Sequence, residues 1–179
     1  MKIAYLDCPS GISGDMVLGA LIDLGLDVKT LTRELKKLPL KGYNITTTRD
    51  NRHHIGGTNL TVKVKEAQGH RTFLDIKRLI TKCNLSTRVK GLSLVIFESL
   101  AEAEARIHGC NTEDVHFHEI GAVDSIIDIV GTAIGMERLG IERVYASPLP
   151  LGRGWVKTSH GRMPVPAPAT LELLKGVPV

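Results

Sequence analysis

The sequence predicts an α/β fold, in which helices flank a mixed β-sheet and one section is an antiparallel hairpin. The short apolar run at residues 3–6 precedes a glycine-rich turn and a segment with helical apolar spacing, which is how an α/β unit opens. Residues 43–47 and 60–64 alternate between apolar and polar side chains, a pattern typical of antiparallel strands with one solvated face. An α+β arrangement is the alternative.

Local signals predict the other elements. Asp27 is positioned to cap a second helix. Thr72 and Asp75 have the spacing of a capping box, and Ser86 is positioned to start a long helix that Gly109 ends. The hairpin connection and the later elements are predicted at residues 50–57 (connection), 115–120 (extended), 122–139 (helix), 143–147 (strand) and 169–175 (helix).

Length and composition favour one soluble domain over residues 1–179, because a chain that is 42% hydrophobic and 23% charged can bury a sizeable core. The net charge of +4 comes from scattered Lys and Arg, and only 4% of residues are aromatic, so nucleic-acid binding is disfavoured. The 3 cysteines form no CxxC pair, which predicts free thiols in a reducing compartment. No apolar run approaches the ~20 residues that span a bilayer. We therefore expect a cytoplasmic protein without membrane contact.

Two histidines and three carboxylates in one short segment suit a metal ion. In an extended chain His116 and His118 point to the same side, because side chains alternate along a strand. Glu119 joins them only if the chain turns after it. Asp124 and Asp128 stand four apart at the start of a predicted helix, so both carboxylates share one face. Such ligands suit zinc, nickel, iron or manganese.

Ordinary structural roles are the alternative for each of these residues. A strand histidine usually lies at the surface or makes a hydrogen bond, and an aspartate in a first helical turn usually caps the helix or interacts with its dipole. His116 and His118 could also order a loop through hydrogen bonds to Asp124. The sequence identifies no catalytic acid or base.

A second candidate site is the turn after the first strand, which includes Asp7, Ser10, Gly11, Ser13, Gly14 and Asp15. Open α/β sheets bind ligands at the carboxyl ends of strands, and the free N–H groups that start the next helix suit a phosphate. Asp7 and Asp15 bracket the turn, so a metal-bridged phosphate is one interpretation and a plain tight turn is the other. Arg153 and His160, in a later segment rich in Gly and Pro, are candidates for the rim of the site.

Five ordered stretches of the chain resemble the LarC family, the nickel-insertion proteins of nickel-pincer nucleotide cofactor biosynthesis. They lie at residues 7–16, 100–105, 115–131, 147–152 and 165–170. Pro9 departs from the family pattern, which usually has Phe at that position. Family chains are roughly twice as long, so residues 1–179 are interpreted as the N-terminal domain of such a protein or as a separate subunit.

The resemblance implies an activity. Family members place nickel into pyridinium-3,5-bisthiocarboxylic acid mononucleotide, with formation of a nickel–carbon bond, and they require CTP. The finished cofactor serves lactate racemase and related enzymes. Nickel and the mononucleotide are thus the implied ligands of this chain, while CTP and a divalent metal are expected in the missing C-terminal half. We expect a nickel insertase, which belongs to the lyase class, and we expect the isolated domain to be inactive. The sequence does not decide whether the protein forms a homo-oligomer.

Two other functions are retained as alternatives. The chain could be a non-enzymatic nickel-binding or docking module that delivers metal to the C-terminal half. It could also be a metal-dependent hydrolase, which a cluster of Asp7, Asp15 and Asp124 would permit.

Overall fold

The computed structural model describes residues 1–52, 54–65, 71–117, 122–158 and 161–179. The first half of the chain forms β1 (Lys2–Leu6), α1 (Gly14–Asp23), α2 (Val28–Leu35), β2 (Tyr43–Arg52) and β3 (Ile55–Val64). The second half forms β4 (Arg71–Thr72), α3 (Phe73–Lys82), α4 (Thr87–His108), a 3-10 turn (Thr112–Asp114), β5 (His116–Phe117), α5 (Val123–Leu139), β6 (Ile141–Ala146), β7 (Gly154–Thr158), β8 (Gly161–Val165) and α6 (Pro168–Leu173).

The helix-capping signals of the sequence are confirmed. Asp27 accepts a hydrogen bond from the Thr30 amide at 2.9 Å at the start of α2. Thr72 and Asp75 form the reciprocal capping box of α3. The Ser86 hydroxyl caps α4, and Gly109 ends that helix in the left-handed conformation that glycine adopts without strain.

The first hairpin is longer than its side-chain pattern predicts. β2 and β3 pair antiparallel from Tyr43–Val64 to Arg52–Ile55, so Asp50 pairs with Gly57 within the ladder. The prediction of a connection over residues 50–57 was therefore wrong. Ladder hydrogen bonds join backbone groups and need no apolar side chains, so the strands continue through polar residues and glycines.

The strands form pairs, and the mixed α/β class is confirmed. β1 pairs parallel with β6, while β2–β3, β4–β5 and β7–β8 are antiparallel. Within the described ranges these pairs stay separate and do not join into one sheet. The segment rich in Gly and Pro, for which no strand was predicted, contains the hairpin β7–β8.

The core is built around α5, which α1, α2 and α4 contact. Leu18, Leu31 and Ile127 are fully buried there, and each such side chain contributes about 1.5–3 kcal/mol of burial free energy. α1 approaches α5 closely at Gly135, where an added Cβ would lie 2.7 Å from Leu21 Cδ1. None of the helices in the described part of the chain is long and apolar enough to cross a membrane.

Candidate functional site

The loop between β1 and α1 is held at both of its ends. The Gly11 amide donates to the Cys8 carbonyl at 3.1 Å and closes a turn, and Gly11 has a positive φ of 88°, which favours glycine. The Cys8 amide donates to Ser147 Oγ at 2.9 Å, which ties the loop to the segment after β6. Cys8 is a buried free thiol. This agrees with a packing role rather than a ligand role.

The start of α1 lies directly against α5. A Cβ on Gly14 would lie 2.5 Å from Asp128 Oδ2 and 2.6 Å from Asp128 Cβ. Only a glycine therefore lets the two helices approach this closely. The predicted phosphate turn and the predicted metal carboxylates, 114 positions apart by their numbers 14 and 128, thus meet in one place.

Asp128 is the carboxylate with the most perturbed protonation in the described part of the chain. Burial, followed by the nearby charges of Asp15 and Asp124, raises the pKa of Asp128 to about 6. Its Oδ1 atom is buried and accepts no hydrogen bond from any described residue. Three carboxylates that face one another, one of them partly desolvated, repel one another unless a proton or a cation lies nearby.

Asp15 and Asp124 differ from Asp128 in their solvent exposure and in their hydrogen bonds. Both are exposed. Asp15 accepts a short hydrogen bond from the Ser13 hydroxyl and another from the Met16 amide at 2.9 Å. Asp124 accepts from the Ser125 amide at 2.9 Å in the first turn of α5, where the helix dipole favours a negative charge. Asp15 therefore belongs with the carboxylates of α5 as well as with the turn.

A cleft of about 710 Å³ opens beside this cluster. The β1–α1 loop and the start of α1 supply one wall, to which Asp7, Pro9, Ser10, Gly11, Ser13, Asp15 and Met16 contribute. The hairpin supplies the opposite wall through Asp50, Ile55, Gly56, Gly57, Thr58 and Asn59. A second cavity of about 190 Å³ lies between α2 and β2, and none of the described residues that line it is acidic or a histidine, so the large cleft is the better candidate.

Polar contacts hold the hairpin wall in place against α1. Asp23 accepts hydrogen bonds from the Thr58 amide at 2.9 Å and from Thr58 Oγ1 at 2.7 Å, and it forms a short ion pair with Arg49. The side-chain hydrogen bond from Thr58, then its backbone hydrogen bond, lowers the pKa of Asp23. An added Cβ on Gly19 would overlap the Thr58 carbonyl oxygen. These contacts therefore hold β3 close against α1.

Of the five predicted metal ligands, the structure describes His116, Asp124 and Asp128. His116 is exposed at the start of β5 and lies opposite Thr72 in that antiparallel pair. The next residue, Phe117, is buried against Phe97 at a ring separation of 6.3 Å. His118 and Glu119 lie outside the described residues. Within the described ranges, no three His, Cys, Asp or Glu side chains are arranged to hold one metal ion.

Of the two predicted rim residues, the structure describes only Arg153. Arg153 is exposed just before β7 and does not line the cleft. His160 lies outside the described residues. The hairpin wall, in contrast, was missed by sequence reasoning. The adjacent glycines Gly56 and Gly57, just before the alternating segment at residues 60–64, were the available signal, because glycines in strands often mark a close approach of a ligand or another backbone.

Fold and site together define an α/β domain with a carboxylate-rich cleft at the N-terminus of a helix. The model of a known family, described as nickel insertion protein, matches residues 4–179. The chain belongs to this nickel insertion protein family, which confirms the resemblance that the motifs indicated. No solved structure matches the chain.

Curated relatives carry names of the same kind. A protein of Desulfitobacterium hafniense (strain DSM 10664 / DCB-2), named pyridinium-3,5-bisthiocarboxylic acid mononucleotide nickel insertion protein, is 54% identical over 179 residues. The match covers 100% of this chain and 44% of that relative. A nickel-insertion relative from Geobacter sp. (strain M21) is 55% identical over 180 residues, which cover 100% of this chain and 47% of the relative. The chain therefore spans less than half the length of these relatives.

Proposed function

We propose that this chain is the N-terminal part of a CTP-dependent nickel insertase that places nickel into pyridinium-3,5-bisthiocarboxylic acid mononucleotide. Family membership and the name of the Desulfitobacterium hafniense relative support this proposal. Because the chain spans 44% of that relative, insertion belongs to the longer protein and the 179-residue chain is inactive alone. The protein works in the cytoplasm, and its product serves enzymes of the lactate racemase type.

The observation that carries the proposal is the buried Oδ1 atom of Asp128. It has no hydrogen-bond partner among the described residues, and Asp15 and Asp124 add negative charge beside it. A divalent cation would relieve this repulsion. We assign the incoming nickel to the carboxylates of Asp124 and Asp128, together with nitrogen and oxygen ligands from the segment that precedes α5. Nickel accepts ligands of both kinds. The ligands of that segment are His116, His118 and Glu119.

The cleft accommodates the mononucleotide. Its volume of about 710 Å³ lies within the range of about 300–1,000 Å³ for small-molecule sites. The phosphate is assigned to the free N–H groups at the start of α1, with the turn residues Asp7, Ser10, Gly11, Ser13, Gly14 and Asp15 around it. CTP and its divalent metal are assigned to the C-terminal half, which this chain lacks.

Nickel titration calorimetry of the isolated chain tests the metal assignment. We expect Asp128→Asn, and separately the double substitution His116→Ala/His118→Ala, to weaken nickel binding by at least about tenfold. Glu98→Gln is the matched control, since Glu98 is an exposed carboxylate on α4 and does not line the cleft. If both variants bind nickel as the unchanged chain does, the metal assignment is wrong.

A transfer assay tests insertion itself. The C-terminal half of the Desulfitobacterium hafniense relative would be supplied together with CTP, nickel and the mononucleotide, and nickel-dependent absorbance of the product would be followed. Absence of transfer with an active C-terminal half would contradict the proposal.

A non-enzymatic delivery module is the second candidate, and it predicts nickel binding without contact to the nucleotide. The cleft favours the insertase, because a pure delivery module needs no cavity of nucleotide size. Equilibrium dialysis of the isolated chain with the mononucleotide separates the two. Nickel binding without nucleotide binding would favour the delivery module.

A further inference from the structure

The parallel pair β1–β6 exposes an apolar face. Tyr5 lies opposite Tyr145 in the register, so both rings project from the same side of the pair, and Ile3 shares that side because side chains two apart in a strand do so. Tyr5 is 65% exposed, and Ile3 and Tyr145 are each 50% exposed. We call these three residues the ribbon face.

The sequence of β1 is that of a strand buried on both sides. Residues 3–6 are all apolar, and parallel strands in α/β proteins are normally covered on both faces. Here the opposite side is partly covered: Ala4 packs against the core, although Val144, its partner in the pair, is 47% exposed. On the ribbon face all three side chains are at least half exposed, so the burial expected for an apolar parallel strand is incomplete.

The last residues of the chain lie near one end of the β1–β6 pair. The Leu149 amide donates to the Pro178 carbonyl at 3.2 Å, and Leu149 follows the end of β6 at Ala146 by three positions. A chain that continues beyond Val179 therefore starts next to the carboxyl end of the β1–β6 pair. In the relatives, more than half of the protein lies outside the matched region.

We propose that the C-terminal half of the longer nickel insertion protein packs on the ribbon face and completes the burial of β1 and β6. This inference rests on the proposal that the chain is the N-terminal part of such a protein. A second copy of the chain is a poorer occupant. Arg143 lies opposite Ile3 on the same side, so any occupant buries this cation. A symmetric contact would bring two Arg143 side chains together, whereas a different partner buries only one and can pair it with a carboxylate.

Thiol footprinting tests the proposal without using nickel or nucleotide. Tyr5→Cys and Tyr145→Cys would be made separately in a Cys110→Ser background, in which the remaining native thiols, Cys8 and Cys83, are buried. Val95→Cys on α4 is the matched control, because Val95 is 59% exposed. Alkylation rates would be compared in the isolated chain and in the chain joined to the C-terminal half of the Desulfitobacterium hafniense relative.

We expect all three thiols to react at similar rates in the isolated chain. In the joined protein the rates at positions 5 and 145 should fall by at least about tenfold, as for a site that opens only by local unfolding, while the rate at position 95 stays unchanged. Equal rates at positions 5 and 145 in both forms would overturn the proposal. Concentration-dependent protection in the isolated chain would assign the face to a second copy and would also overturn it. Neither outcome bears on nickel transfer, so the proposed function is tested separately.

Discussion

At the scale of single residues, Asp128 combines an unfavourable charge with a position against Gly14, beside the residues Ser13 and Asp15 that line the cleft. Its pKa of about 6, against an ordinary value of 3.8, means that the folded chain binds a proton there more tightly than the unfolded chain does. The stability that this proton provides is complete below pH 3.8 and is lost as the pH rises through about 6. The metal-free protein is thus destabilised by this carboxylate at neutral pH.

We therefore predict that Asp128→Asn stabilises the metal-free chain at pH 7–8 by roughly 1–2 kcal/mol, a value reduced for partial solvent screening. The gain should disappear near pH 4, where the native carboxyl is protonated. Urea unfolding at both pH values, with a chelator present, measures the difference. A loss of stability at pH 7–8 would show that Asp128 is satisfied in the folded chain.

Gly14 is the second residue on which the site depends. We predict that Gly14→Ala destabilises the protein by about 1–3 kcal/mol, because its Cβ would lie 2.5 Å from Asp128 Oδ2 and overpacked contacts cost about this much. Gly91→Ala in α4 is the matched control. It has open space around the new Cβ and should be stabilising by about 0.5–1 kcal/mol. Thermal unfolding of the two variants checks both signs, and equal effects would contradict the close approach of α1 to α5.

At the scale of elements, the hairpin β2–β3 forms one wall of the cleft because it is attached to α1. Asp23 and Thr58 supply the hydrogen bonds, and Gly19 removes the side chain that would separate helix from strand. A strand that was predicted only from its alternation thus becomes part of the candidate site. Its position is set by a helix earlier in the chain.

Gly19→Ala should loosen this wall. Its Cβ would overlap the Thr58 carbonyl oxygen, and a backbone atom cannot move aside without the whole strand, so we predict a loss of about 1–3 kcal/mol of stability. Hydrogen exchange should become faster in Ile55–Val64 and should stay unchanged in α4. Protection of the hairpin equal to that of the unchanged chain would show that α1 does not fix it.

At the scale of the whole molecule, the three cysteines provide a test of the predicted reducing compartment. Cys8 and Cys83 are buried and Cys110 is exposed, all as free thiols. We predict one rapidly reactive thiol in the native protein and three after denaturation, measured by a chromogenic thiol reagent without reductant. Loss of two thiols from the denatured count would indicate a disulfide and contradict the expectation of a reducing compartment.

Much of the fold follows from signals only a few residues long. Asp27, the pair Thr72 and Asp75, and Ser86 each cap the helix that the sequence predicts, because a cap depends on residues within three or four positions. The family motifs are also local, and they indicate the nickel insertion proteins without any knowledge of tertiary contacts. The predicted bounds of the hairpin strands were wrong because backbone pairing does not require the alternation of apolar and polar side chains on which the prediction was based.

The tertiary structure alone decided which of the candidate residues meet. The contact of Gly14 with Asp128, the inclusion of Asp15 with the α5 carboxylates and the hairpin wall at residues 55–59 all join distant parts of the sequence. Such contacts depend on how closely helices and strands pack, which local spacing does not encode. The sequence by itself determined the helices, their caps and the family; packing determined the cleft and the protonation of Asp128, because both arise from burial.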